Sequence, residues 1–74
     1  MSLARAMARA NQRARELGVD VLGSVISVSQ RSAEDREIWR VNYGPKDYVG
    51  RRGGDLIIDV DPRDATIRQV LWGQ

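Results

Sequence analysis

A chain of 74 residues with 42% hydrophobic and 30% charged content has the makeup of one small folded domain, 1–74, and is too short for two. It contains neither cysteine nor histidine, which removes disulfides, thiolate metal sites and the commonest general base. The net charge of +2 is uneven: Arg5, Arg9, Arg13 and Arg15 against Glu16 give residues 1–19 a balance of +3, leaving −1 for the rest.

Residues 3–17 carry the clearest helical period. Leu3, Ala6, Met7, Ala10, Ala14 and Leu17 fall in one stripe, with Arg5, Arg9, Gln12, Arg13 and Glu16 opposite. Ser2 is suited to the N-cap and Gly18 to the position just past the end. A helix of this length is marginal alone in water, so it must dock on something. Its alanines suit close approach to a sheet.

Four strands are predicted next. Residues 24–30 alternate, with Ile26 and Val28 inward. The charged stretch Arg31–Arg36 reads as a turn. In residues 37–43, Trp39, Val41 and Tyr43 share one face, with Ile38, Arg40 and Asn42 on the other. Gly44-Pro45-Lys46-Asp47 signals a turn, and a glycine- and arginine-rich loop runs to Gly54. Residues 55–61 form the third strand, with Leu56, Ile58 and Val60 inward. Asp61-Pro62-Arg63-Asp64 suits a type I turn, and residues 66–72 form the last strand. Short connections make neighbours antiparallel. The expected fold is α+β: one amphipathic helix across a four-stranded antiparallel meander, α-β-β-β-β.

Val25–Ser29, Trp39-Arg40-Val41, the run Leu56–Pro62 and Thr66-Ile67 together resemble a PepSY-type domain, although Asp64-Ala65 stands where that pattern has Thr-Gly. Gly53-Gly54 and the final Gly73-Gln74 are also similar to immunity proteins of the nuclear-transport-factor-like cone fold. These resemblances imply a binding or inhibitory module.

The candidate chemistry divides in two. A domain of this size buries only roughly 60% of the surface its unfolded chain exposes, so a partner is one way to enlarge a thin core. Trp39, Tyr43 and Trp72, with Arg40 and Arg68 as polar neighbours, are the expected protein-binding residues, and self-association into a homodimer is one version of that reading. The alternative is an anion site for nucleic-acid phosphates or an acidic protein. It would use Arg5, Arg9 and Arg13, spaced by four on the helix, with Arg51 and Arg52 in the loop 50–54. Asp59, Asp61 and Asp64 form a D-x-D-x-x-D run without the glycine and late glutamate of a calcium loop, and read as outward strand and turn residues. Asp59 beside Tyr43 is the least unsuitable acid–base pair, and a self-contained enzyme is not expected. No cofactor or metal is implied. No apolar run approaches the roughly 18 residues that span a bilayer, and the N-terminus lacks a continuous apolar segment, so a cytoplasmic protein without membrane attachment is expected unless a leader has been removed.

Overall fold

In the computed structural model, residues 3–33, 36–45 and 55–72 are described. They form helix α1 (Leu3–Glu16) and strands β1 (Ser24–Ala33), β2 (Arg36–Pro45), β3 (Leu56–Val60) and β4 (Ile67–Trp72). The strands make one sheet in the order β1-β2-β3-β4, every neighbour antiparallel. This is the α-β-β-β-β meander expected from the sequence.

The helix begins the packing. Ala6, Ala10 and Ala14, four residues apart, are fully buried and bring α1 close across β3 and the adjoining part of β2. Met7 and Leu17 pack beside them, while Leu3 stays 42% exposed at the margin. The helix ends where its sequence demands. Gly18 takes φ +87°, its N–H donates to the Arg15 carbonyl at 3.0 Å, and the Val19 N–H donates to the Ala14 carbonyl at 3.0 Å. This paired arrangement satisfies the orphan carbonyls of the last turn. Five residues on, the Gly23 N–H donates to the Asp20 carboxylate at 3.2 Å, and a Cβ at Gly23 would push that exposed carboxylate aside.

Residues opposite each other in the ladders share a face. On the helix side lie three rows: Ile26–Tyr43–Leu56–Trp72, Val28–Val41–Ile58–Val70 and Gln30–Trp39–Val60–Ile67. Val41, Tyr43, Leu56, Ile58 and Val60 form the buried centre with the three alanines and Val21. The far face carries Ser27–Asn42–Ile57–Leu71 and Ser29–Arg40–Asp59–Gln69.

Several expectations are corrected. The turn expected at 31–36 is largely strand, because the ladder continues through Arg31–Ile38 and Ser32–Glu37 to Ala33–Arg36. Arg31, Ser32 and Glu37 are exposed there, so their polarity does not oppose pairing. Gly44 and Pro45 belong to the end of β2, opposite Val25 and Ser24, where a proline removes no interior ladder bond. The hairpin joining β3 and β4 is closed by Ala65 N–H to the Asp61 carbonyl at 2.9 Å and Asp61 N–H to the Thr66 carbonyl at 2.8 Å. It is one residue longer than a type I turn needs. The extra residue, Ala65, adopts φ 61°, a left-handed conformation that glycine takes more readily. Asp59 and Asp61 are not outward residues in water: they are only 5% and 2% exposed, because arginines cover both. Asp59 also cannot work with Tyr43, since the two occupy opposite faces. The loop 46–54 with Arg51 and Arg52, the cap Ser2 and the final Gly73-Gln74 lie outside the described residues.

Candidate functional site

Alternation along β2 sends Trp39 and Tyr43 to the helix side, and the β3–β4 register sends Trp72 there as well. Their environments then diverge. Tyr43 is 2% exposed, and its hydroxyl donates to Asn11 Oδ1 on α1 at 2.7 Å. Burial pushes its phenol up to about 12, so it remains a neutral hydrogen-bond donor that ties helix to sheet. Trp39 is half-buried, and Trp72 is 59% exposed at the end of the edge strand β4. The three aromatics therefore make a graded series from core to surface.

The two arginines grouped with them serve carboxylates instead. Arg40 lies on the far face, directly opposite Asp59, and binds it with both prongs: Nε to Oδ1 at 2.8 Å and Nη2 to Oδ2 at 3.0 Å. Two parallel bonds fix the guanidinium plane as well as neutralising the charge. The hydrogen bond that Arg40 donates to Asp59 raises the Arg40 pKa above its ordinary value. Arg68 sits where the β3–β4 ladder slips, Asp59 facing Gln69 but Val60 facing Ile67, which leaves Arg68 as the extra residue of a β-bulge. From there its Nη2 reaches Asp61 Oδ2 at 2.8 Å and its Nε the same oxygen at 3.2 Å. The Asp61 Oδ1 accepts the Arg63 backbone N–H at 2.9 Å. The Arg63 N–H first, then the Arg68 side chain, holds the Asp61 carboxyl below its usual range. Asp64 is lowered too, by the Thr66 hydroxyl and backbone N–H. The acidic run is thus a hairpin clasp, and no group of three His, Cys, Asp or Glu among the described residues is placed to hold a metal.

On α1, Arg5 is exposed while Arg9 and Arg13 are half-buried along the flank of the alanine stripe. Arg13 Nη1 pairs with Glu16 Oε1 at 3.1 Å, which offsets part of the positive face.

The pair of sheet edges is a further feature of the fold. A meander ordered β1-β2-β3-β4 leaves its first and last strands with one unpaired side each among the described residues. The β4 edge is guarded: it has six residues, a bulge and Arg68. The β1 edge is ten residues long, pairs with β2 without a slip, and holds no charge from Ser24 to Gln30. Val25 and Val28 are 51% and 38% exposed on its two faces. Natural edges are normally blunted by bulges, charges or prolines, and this seven-residue stretch has none of them. The signal was present in the sequence as a charge-free alternating strand placed first in a meander.

No family model matches the sequence, and no curated protein or solved structure matches it. No described helix is long and apolar enough to cross a membrane.

Proposed function

We propose that the protein is a non-catalytic binding module that accepts an extended polypeptide segment along β1, adding it as a further strand to the sheet. The carrying observation is the contrast between the two edges: β4 has six residues, a bulge and Arg68, whereas β1 has ten residues in unbroken register, with no charge from Ser24 to Gln30. In strand addition the main-chain bonds supply affinity, and alternate side chains supply selectivity. Val25 on one face, with Ile26 and Val28 on the other, would read the incoming strand, and the Ser27 and Ser29 hydroxyls would tolerate polar partners. Trp72, exposed at the other edge, and Trp39 are the aromatic anchors for a broader contact on the helix side. An inhibitory or immunity-type role, as the PepSY-like and immunity-protein resemblances together imply, would be a use of the same edge to hold a strand of a target protein.

The test is selection of displayed peptides on the purified protein, followed by amide shift mapping with a selected peptide. Shifts concentrated in Ser24–Gln30 support the reading. Shifts confined to the arginine flank of α1, with affinity falling steeply as salt rises, would replace it with the anion-binding alternative through Arg5, Arg9 and Arg13.

A further inference from the structure

We infer that the segment added to β1 is the β1 of a second copy of this chain, related by a two-fold axis passing through Ser27. The inference rests on the strand-addition reading and names its partner. An antiparallel pairing that keeps both helices on one side must place residues of equal parity opposite each other, so only registers two residues apart compete. Centred on Ser27, the register sets Ile26 of each copy opposite Val28 of the other, on the side where α1 lies and where Val28 is 38% exposed in the single chain. On the far face Ser27 meets Ser27, and each Val25 meets a Ser29. Sliding by two residues one way sets Ile26 opposite Gln30, and the other way sets Val28 opposite Ser24, so either slide trades apolar pairs for mixed ones.

Charge fits the same register. Arg31 is exposed and has no ion-pair partner among the described residues, and neither has Asp20. The Ser27-centred axis carries Arg31 to the level of Gly23 in the second copy, whose N–H is capped by Asp20. Two symmetric Arg31–Asp20 contacts would then close the ends of an uncharged ladder. Because the patch meets itself, the pairing closes at two copies and yields one eight-stranded sheet. Seven residues a side make a small interface, so a dissociation constant of about 1–100 μM is expected.

Sedimentation equilibrium on the full chain from about 1 μM to 1 mM tests this, spanning that range. The wild type is expected to pass from one to two chains with concentration. Ser27→Lys and Ser27→Glu each place like charges face to face on the axis and are expected to weaken association about tenfold or more. Mixing the two in equal amounts is expected to restore a heterodimer, because opposite charges then face each other on the axis. Far-UV circular dichroism confirms that each variant is folded, and should either unfold, Ser29→Lys mixed with Val25→Glu probes the same axis. A wild type that stays monomeric throughout, or association unaffected by Ser27→Lys, overturns the inference. The displayed-peptide selection separates the two failures: peptides that still map to β1 leave strand addition standing and remove only the second copy as partner, whereas their absence removes both.

Discussion

Arg40 and Asp59 differ in how much water each could reach if its partner were gone. The Asp59 side chain is 7% exposed and that of Arg40 24%, so the carboxylate would be stranded and the guanidinium would not. Leaving a buried charge unpaired is what makes breaking such a pair expensive. Arg40→Ala is therefore expected to destabilise by about 2–4 kcal/mol and Asp59→Ala by roughly 1 kcal/mol less, with the double variant no worse than Arg40→Ala. Urea denaturation of the cycle checks this, and equal losses from both single changes would contradict it. The hairpin clasp acts through protonation instead. Asp61 and Asp64 have carboxyls lowered in the folded chain, so the unfolded chain binds protons first as pH falls. Their stabilisation is complete above the ordinary aspartate value of about 3.9 and is lost as pH drops through the folded values. Denaturation midpoints are expected to be level from neutral pH down to that point and then to fall, and Asp61→Asn should flatten the acid limb while lowering the plateau. Next to them, Ala65 holds φ 61° without the freedom of glycine. Ala65→Gly is expected to raise stability by about 0.5–1 kcal/mol in the same assay, the relief of that conformation exceeding the added entropy of the unfolded chain.

At the level of elements, the parts legible in the sequence are those set by local period. The stripe of α1 follows from its 3.6-residue repeat, and the meander order follows from connections too short for a crossover. The ladder of β1 and β2 beyond Gln30 was hidden, because a charged run such as 31–36 resembles a turn whenever its pairing partner is not considered. Burial of Asp59 and Asp61 was hidden for the same reason. It depends on cross-strand register bringing Arg40 opposite, and on a bulge delivering Arg68. The aromatic group was half legible: alternation put Trp39 and Tyr43 together, but it could not say that α1 would cover Tyr43 and leave Trp72 at an edge. The helix–sheet spacing offers a test. Ala6, Ala10 and Ala14 are fully buried where α1 packs on β3 and β2. Ala10→Leu is expected to cost about 1–3 kcal/mol through overpacking, whereas Gln12→Ala on the exposed face should change stability by under about 0.5 kcal/mol. Thermal melts of both would check it, and a tolerated leucine would show that α1 is free to lift from the sheet.

The whole molecule is elongated, 39 × 21 × 16 Å, because α1 covers only part of its sheet. The covered part holds every fully buried strand residue, from Val41 and Tyr43 across to Leu56, Ile58 and Val60. Beyond it the β1–β2 ribbon runs on as two strands past Gln30 and Trp39, with Arg31, Ser32 and Glu37 all exposed. A two-stranded ribbon without a covered face has little to hold it closed. Opening should therefore be graded along the long axis. Amide hydrogen exchange at low concentration is expected to be slowest in β3 and the Val41–Tyr43 part of β2, and fastest where β1 and β2 run past Trp39. Uniform protection along β2 would mean that the ribbon and the core open as one unit. Concentration adds a second reading to the same experiment. Within β1, amides aimed at β2 alternate with amides aimed at the open side. If a second strand joins there, raising the concentration should slow exchange at alternate residues of Ser24–Gln30 and leave their neighbours unchanged, whereas a general tightening of the fold would slow both sets together.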